Sequence, residues 1–424
     1  MSVLFARASA LSCLVALTFG LLTAYFLQLA ETNEYLGYLE FPFDAPYVLA
    51  LVAAILIIGM LMPVEIRCPS DFFKFLYGLF VLLPYAILFP IRSSVELLDF
   101  MIFFSALAGP FLALSAVAKV VPPLRVPRLI SQDALVFMVV LVCALGVLLA
   151  LLNPPASAGF DLATSYERRM QGREIFPTGT PLAYLNAAIV NGFAPFLAFV
   201  AGWQRRYWLL AFSLICGITF FYLLGLKAPL FFITLGFIIG YSVSIKRAHT
   251  IARTIYILML IMFLLFILEY TLFGYSLVGD YFIRRAFSVP AWMISVYFDF
   301  MTSSSRPDWL PLGGVSSTEP ITFIIGEGFL GRPGLNANTN AFLYQLAAGG
   351  IPMYLLTILL VAFVFALLDA AYKCRRNPIL IYLGFAYAIL LTEQAATTAL
   401  LSSGIGVLVI LVLFSGSGEE ANSL

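Results

Sequence analysis

The amino-acid sequence predicts an all-α, polytopic integral membrane protein. It reads as a single domain over 1–424 with about twelve transmembrane helices and two large loops on one face. Three observations carry this. The 424 residues are 62% hydrophobic and 11% charged, with a mean hydropathy of +1.02. Soluble domains carry about 25% charged residues, so this chain is too poor in charge to cover a water-facing surface. Apolar runs close to the roughly 20 residues that cross the hydrocarbon recur along the whole length. Between them, lysine and arginine collect in short segments that alternate with longer ones.

The predicted spans are 8–30, 46–64, 75–91, 97–118, 134–152, 181–202, 207–226, 228–245, 254–273, 341–371, 379–394 and 398–415. The first is long enough to span and lacks a small-residue cleavage site, which makes it a retained helix rather than a removed signal peptide. The last two are separated by the polar stretch TEQAATT. Short cytoplasmic loops are enriched in lysine and arginine. The segments IRCPSDFFK, KVVPPLRVPR, WQRRYW, SIKRAHTIAR and YKCRRNP are short, basic and flanked by aromatics, so they mark the cytoplasmic face and place both termini there.

The opposite face holds the loops 153–180 and 274–340. Loops this long are functional or disordered, and these mix proline, glycine and aromatic residues with charge. They carry Arg168, Arg169, Arg173, Arg284, Arg285, Arg306 and Arg332, against the topological bias, and Lys227 joins them from a helix end. The five cysteines are scattered without ligand spacing, which predicts neither a disulfide framework nor a metal site. A net charge of +1 offers no field to attract nucleic acid. No internal repeat is present.

Arginine chemistry gives the loops a purpose. In LVGDYFIRRAFSVPAWMISVYFDFM, Arg284 and Arg285 are adjacent and followed by aromatics that suit the headgroup level. A guanidinium fork matches phosphate oxygens bidentately, so the pair can grip a lipid-linked phosphate or pair with Asp280 and Asp299. Lys227, in FYLLGLKAPLFF, is a lone cation among apolar residues, either functional or snorkelling. In SYERRMQGREIFPTGTP, Arg168, Arg169 and Arg173 are interleaved with Glu167 and Glu174, as in a solvated helix or a second cation site. Asp161, Asp280, Asp299, Asp308, Glu319 and Glu327 are the carboxylates available as a general base. The single histidine, His249, lies among the cytoplasmic basic residues.

The stretch GRPGLNANTNAFLYQLAAGGIP brings Asn336, Asn338 and Asn340 to the start of an apolar helix. One asparagine serves as an N-cap. Three suggest a lid at the membrane surface whose amides donate to and accept from sugar hydroxyls. The helix N-terminus adds positive potential for an anion.

With LLGLKAP around Lys227, RRAFSVPAWMISVYFDF and this asparagine stretch in that order, the chain resembles the O-antigen polymerase (Wzy-type) family of oligosaccharide repeat unit polymerases. The resemblance covers most of the chain in hydropathy layout and these three stretches in residues. It implies a GT-C-like, metal-independent glycosyltransferase of the bacterial inner membrane, acting on the periplasmic side without a cofactor. Such an enzyme moves a growing glycan from undecaprenyl pyrophosphate onto an incoming lipid-linked repeat unit. Membrane lipids and a polysaccharide chain-length regulator are the further partners implied. Related ligases place a histidine where this chain has Asn338, Thr339 and Asn340, which argues against a ligase. A flippase or transporter is the rival from another class, but the internal symmetry common in transporters is absent.

On this reading Lys227, Arg284 and Arg285 stabilise the pyrophosphate as its charge grows. Arg332, Arg168, Arg169 and Arg173 stand in support, Asn336, Asn338 and Asn340 orient sugar or phosphate, and Asp299 or Glu327 deprotonates the acceptor.

Overall fold

The computed structural model describes residues 3–416 except 35–44, 93–95, 162–163, 178, 246–249, 303–319 and 333. Arg306, Asp308, Glu319 and His249 fall outside the described residues. The described chain is almost wholly helical, with one short parallel pairing of Ile130–Ser131 with Ser415–Gly416. Among the described residues, eight helices are long and apolar enough to cross a membrane: Arg7–Thr32, Pro69–Leu88, Leu97–Ala118, Gln132–Leu151, Pro181–Gln204, Tyr207–Leu224, Ile251–Phe273 and Ala341–Arg375. Ala45–Leu61, Ala228–Ser244 and Pro378–Leu391 are apolar but shorter. The chain is therefore an all-α, multi-pass membrane protein. The final apolar run, expected as one span over 398–415, is broken into Ala396–Leu400 and Ile405–Leu413. Gly404 sits between the pieces at φ 72°, a left-handed conformation no continuous helix can hold.

Burial sorts the helices. Pro69–Leu88 and Pro181–Gln204 are enclosed almost all round, and every residue from Ile379 to Leu391 is buried. Gln132–Leu151 and Ile251–Phe273 lie at the rim, with Leu141, Leu148, Leu264 and Leu272 turned outward. A helix that is apolar on every face yet exposed along one side is shaped for lipid.

Small residues let the central helices touch. In LGFIIGY, Gly236 and Gly240 are one turn apart on the Ala228–Ser244 helix, and Gly202 faces them from Pro181–Gln204. A Cβ on Gly240 would lie 2.1 Å from the Phe199 carbonyl oxygen, one on Gly236 2.6 Å from that of Pro195, and one on Gly202 2.4 Å from that of Phe237. This is the small-xxx-small packing by which membrane helices gain dispersion contact where no hydrophobic drive exists between them.

The long Ala341–Arg375 element is not one rod. Gly350 has φ 66° and ψ −163°, a region open essentially to glycine alone, and Pro352 follows. Phe342 and Phe365, on opposite sides of this break, both pack on Phe73, at 5.8 and 5.6 Å between ring centroids. A straight helix would hold residues that far apart in sequence about 35 Å from each other. The segment before Gly350 therefore folds back beside the segment after it. Its N-terminus, with the asparagine stretch, lies inside the bundle against Phe73 and Tyr77 rather than at the membrane surface.

The two loops are also structured. The first contains the helix Ser165–Ile175. The second begins with a wide π-type turn, Gly279–Ser288, which runs directly into the helix Val289–Thr302. The expectation that the aromatics of this segment lie at headgroup level is corrected: Tyr297 and Phe298 are fully enclosed, Phe298 stacks on Phe103 at 4.1 Å, and the Tyr297 hydroxyl donates to the Ala337 carbonyl. The segment is apolar on all sides, so it has become an internal helix.

Candidate functional site

Chain alternation puts the ends of Gln132–Leu151 and Ile251–Phe273, and hence both long loops, at the end of the bundle away from the short basic segments. The helix Ser165–Ile175 packs on Tyr207–Leu224, whose last turn stops at Gly225 with φ 63°. A Cβ on Gly225 would meet the Ser165 carbonyl oxygen at 2.5 Å. Glycine is thus needed there for both the turn and the approach of the arginine-bearing helix. Arg169 reaches back with a long hydrogen bond, Nη2 to the Gly225 carbonyl at 3.5 Å. Two residues on, Lys227 stands exposed at the N-cap position of Ala228–Ser244, without an ion pair among the described residues.

Arg285 arrives from the other loop. Phe287, two residues later, is wedged between Phe263 and Phe80 of membrane helices, each 5.7 Å away, which fixes the depth of this turn. Its start is held by Gln28, which exchanges two hydrogen bonds with the Ser276 backbone, and by Glu269, which accepts from the Ser276 hydroxyl and the Val278 N–H. Burial, then the neighbouring Arg285 and Arg173 guanidiniums, push the Arg169 guanidinium below its usual range. Although Arg169 has surface open to solvent, protein atoms crowd it closely enough for burial to be the first influence. Arg169 thus lies close enough to Arg173, and to Arg285 of the other loop, for their charges to act on it. None has a carboxylate partner among the described residues. Like charges held together disfavour their own charged forms, and an anion among them removes that repulsion.

The other predicted cations divide by role. Arg284, adjacent to Arg285, turns away and is paired with Asp280, Nε to Oδ1 at 2.7 Å, with only 14% and 23% of the two side chains exposed. The alternative in which it neutralises Asp280 is the one observed. Arg168 is fully buried: Nη2 donates to the Asp161 carbonyl at 2.7 Å, Nη1 to Thr164 Oγ1 at 2.8 Å, and the guanidinium lies over the Phe221 ring. It ties down the loop from which Arg169 and Arg173 project. Arg332 is half-buried, with its backbone N–H on the Gly326 carbonyl.

Of the two carboxylates, Glu327 is exposed and its Oε1 accepts from the Gly334 N–H at 2.8 Å, holding the turn before the asparagine stretch. Asp299 is half-buried on the internal helix Val289–Thr302.

The asparagines sit where the chain dives into the bundle. Asn340 Oδ1 caps the helix by accepting from the Leu343 N–H at 3.0 Å. Its Nδ2 is buried and without a partner among the described residues, as are Thr339 Oγ1 and Asn336 Oδ1; Asn338 is exposed. Irregular backbone at membrane depth is tolerated where it is enclosed by protein or lines a polar cavity. Three orphaned polar atoms within five residues mark such a place, since buried polar groups are otherwise almost always satisfied. Asn340→Ser retains a capping oxygen but removes the orphaned donor. We expect the folded protein to be recovered in wild-type amount; under the polymerase activity that the family resemblance implies, glycan extension falls about tenfold, the factor carried by one lost hydrogen bond. An unchanged chain-length ladder on a gel would remove Asn340 from the site.

Sequence reasoning missed one polar cluster. Asn191 Nδ2 and Gln394 Nε2 both donate to Ser403 Oγ, at 3.4 and 3.0 Å, beside the broken final helix, and neither polar atom of the buried Asn186 side chain has a partner. The signal was present: two asparagines inside an apolar span are expensive in lipid, and the polar stretch TEQAATT separates the last two apolar runs.

Comparison of the chain with protein-family models, with curated proteins and with solved structures gives no match.

Proposed function

We propose that the protein is a metal-independent glycosyltransferase that polymerises lipid-linked oligosaccharide repeat units at the periplasmic face of the bacterial inner membrane. It transfers the growing glycan from undecaprenyl pyrophosphate to the repeat unit on a second carrier lipid. The observation that carries this reading is the grouping of Arg169, Arg173 and Arg285, uncompensated by any described carboxylate, at the end of a membrane-embedded bundle. Such a group suits a dianionic leaving group that stays attached to lipid while its sugar departs.

In this reaction the acceptor hydroxyl attacks the anomeric carbon, the bond to pyrophosphate breaks, and the acceptor proton passes to a carboxylate. That carboxylate is Asp299, half-buried on its helix, or Glu327, whose Oε1 accepts from the Gly334 N–H. The three guanidiniums, with Lys227 beside them, stabilise the charge that grows on the pyrophosphate. Stabilisation of this kind, from groups fixed before the reaction, is commonly the largest catalytic contribution. Asn336, Asn338 and Asn340 meet sugar hydroxyls along the descending segment, and Arg332 lies next to it in the chain. GT-C-like architecture, twelve spans, cytoplasmic termini and a chain-length regulator as partner belong to the same proposal.

The test is the surface glycan of a deletion strain resolved on a gel. Loss of polymerisation leaves lipid A–core bearing a single repeat unit, with the ladder restored by the wild-type gene. A bare core in the deletion strain would instead indicate a ligase or a flippase and would overturn the polymerase reading.

A further inference from the structure

At the opposite, basic end of the bundle a cleft of about 320 Å³ separates the starts of two membrane helices. That volume lies at the lower edge of the roughly 300–1,000 Å³ of small-molecule pockets. It is lined by Val136, Phe137 and Val140 of Gln132–Leu151, by Trp208 of Tyr207–Leu224, and by Asp133 and Arg206. The lining is thus apolar except for one carboxylate and one guanidinium. Phe137 and Leu141 on one helix and Trp208 and Ile215 on the other are each more than half exposed. Apolar surface therefore runs on from the cleft along both helices, and the cleft opens to lipid.

The sequence WQRRYW builds the polar head of this cleft. The helix Pro181–Gln204 ends at Arg205, which is left-handed at φ 58°, and Arg206 immediately precedes Tyr207–Leu224, so two residues reverse the chain. On the facing helix Ser131 accepts from the Ala134 N–H at 3.2 Å, a cap that sets Asp133 in the first turn. Arg206 Nη1 then donates to Asp133 Oδ1 at 2.8 Å. The pair is open, with 41% of the arginine side chain and 74% of the aspartate exposed. An ion pair this exposed contributes little to stability. It meets through one nitrogen and one oxygen, so each group keeps capacity for a further partner.

We propose that this cleft binds a phospholipid whose headgroup carries both a phosphate and a primary ammonium, with an acyl chain along the apolar walls. The guanidinium of Arg206 matches phosphate oxygens, and the carboxylate of Asp133 accepts from the ammonium. A primary ammonium brings three donors, whereas a quaternary one brings none. A purely anionic headgroup would set its charge against Asp133. Trp208 suits the interface at which headgroups lie. The site is separate from the arginine cluster at the other end and is independent of which reaction that cluster serves.

The experiment uses the purified full-length protein, with native mass spectrometry and tryptophan fluorescence as readouts. Phosphatidylethanolamine is expected to stay bound under activation that strips phosphatidylcholine and phosphatidylglycerol. The exchange D133R/R206D keeps an ion pair across the cleft but sets a carboxylate against the phosphate. It should bind phosphatidylethanolamine about tenfold more weakly, the loss of one charge-assisted hydrogen bond. With bromine on the acyl chains, phosphatidylethanolamine should quench the wild type at a lower mole fraction than phosphatidylcholine does. Trp208→Phe should remove that difference, and it carries the test should the exchange variant fail to fold. Equal retention of phosphatidylethanolamine and phosphatidylcholine, or a preference for phosphatidylglycerol, overturns the proposal. So does undiminished binding by D133R/R206D, or a quenching difference that survives Trp208→Phe.

Discussion

Arg285→Ala lowers the rate of glycan extension by about 10²- to 10³-fold, the usual effect of removing one fixed group that stabilises developing charge. The protein is nevertheless recovered from the membrane in wild-type amount. Arg284→Ala gives the opposite pattern. The two residues are neighbours in the chain, yet Arg284 is committed to Asp280 at 2.7 Å, whereas the charge of Arg285 acts on Arg169 and Arg285 has no ion pair among the described residues. Removing Arg284 leaves a part-buried carboxylate alone, which costs about 1 kcal/mol at this degree of exposure. The amount of folded protein falls, and each remaining molecule extends glycan at close to the normal rate. Removing Arg285 lowers the repulsion within the cluster, so stability holds or rises, while under the proposed function the leaving group loses one of its guanidiniums. Chain length on a gel, normalised to membrane protein on a blot, separates the two. If the Arg284 variant loses extension per molecule and the Arg285 variant does not, the assignment of the cluster is wrong.

Much of the architecture was legible because membrane folding imposes one dominant rule. Backbone hydrogen bonds must be satisfied within the segment, so apolar runs become helices, and the predicted runs from 8–30 to 379–394 each fall largely on helix, several of them extending past its end. What hydropathy could not show was direction. The run 341–371 reads as a single span, but Gly350 admits a fold-back that only its backbone angles reveal, and this carried the asparagines from an expected surface lid into the bundle. Nor does hydropathy separate a ring at the interface from one in the core: Tyr297 and Phe298 suit either until a neighbouring helix encloses them.

The site was legible in kind but not in pairing. Arginines on the wrong face pointed to an anion. However, whether Arg284 or Arg285 carried an ion pair depended on the helical turn over Gly279–Ser288, which sets Arg284 one turn after Asp280 and within reach of it. Arg168 and Arg169 divide in the same way, one buried over Phe221 and one exposed.

Gly240→Leu is expected to deplete the folded protein more severely than any substitution at the cation cluster. The Cβ alone would stand 2.1 Å from the Phe199 carbonyl oxygen, a backbone atom that cannot swing aside, so the helices Pro181–Gln204 and Ala228–Ser244 must separate. Overpacking of this sort costs about 3 kcal/mol, a large share of the 5–15 kcal/mol that stabilises a typical fold. Separation also breaks the close approaches at Gly236 and Gly202, which belong to the same seam, so the losses compound. Gly328→Leu is the matched control: no atom lies within 4 Å of a Cβ built there, and the recovered protein should be unchanged. Fluorescence-detected size-exclusion chromatography of tagged variants measures both, and equal monodisperse peaks for the two would refute the packing argument. The consequence reaches the site as well. Lys227 caps the helix that Gly240 seats, and Gly225 joins that helix to the one beneath Arg169. The milder Gly240→Ala, in whatever fraction folds, therefore moves Lys227 relative to the arginines and lowers extension per molecule without touching a charged residue.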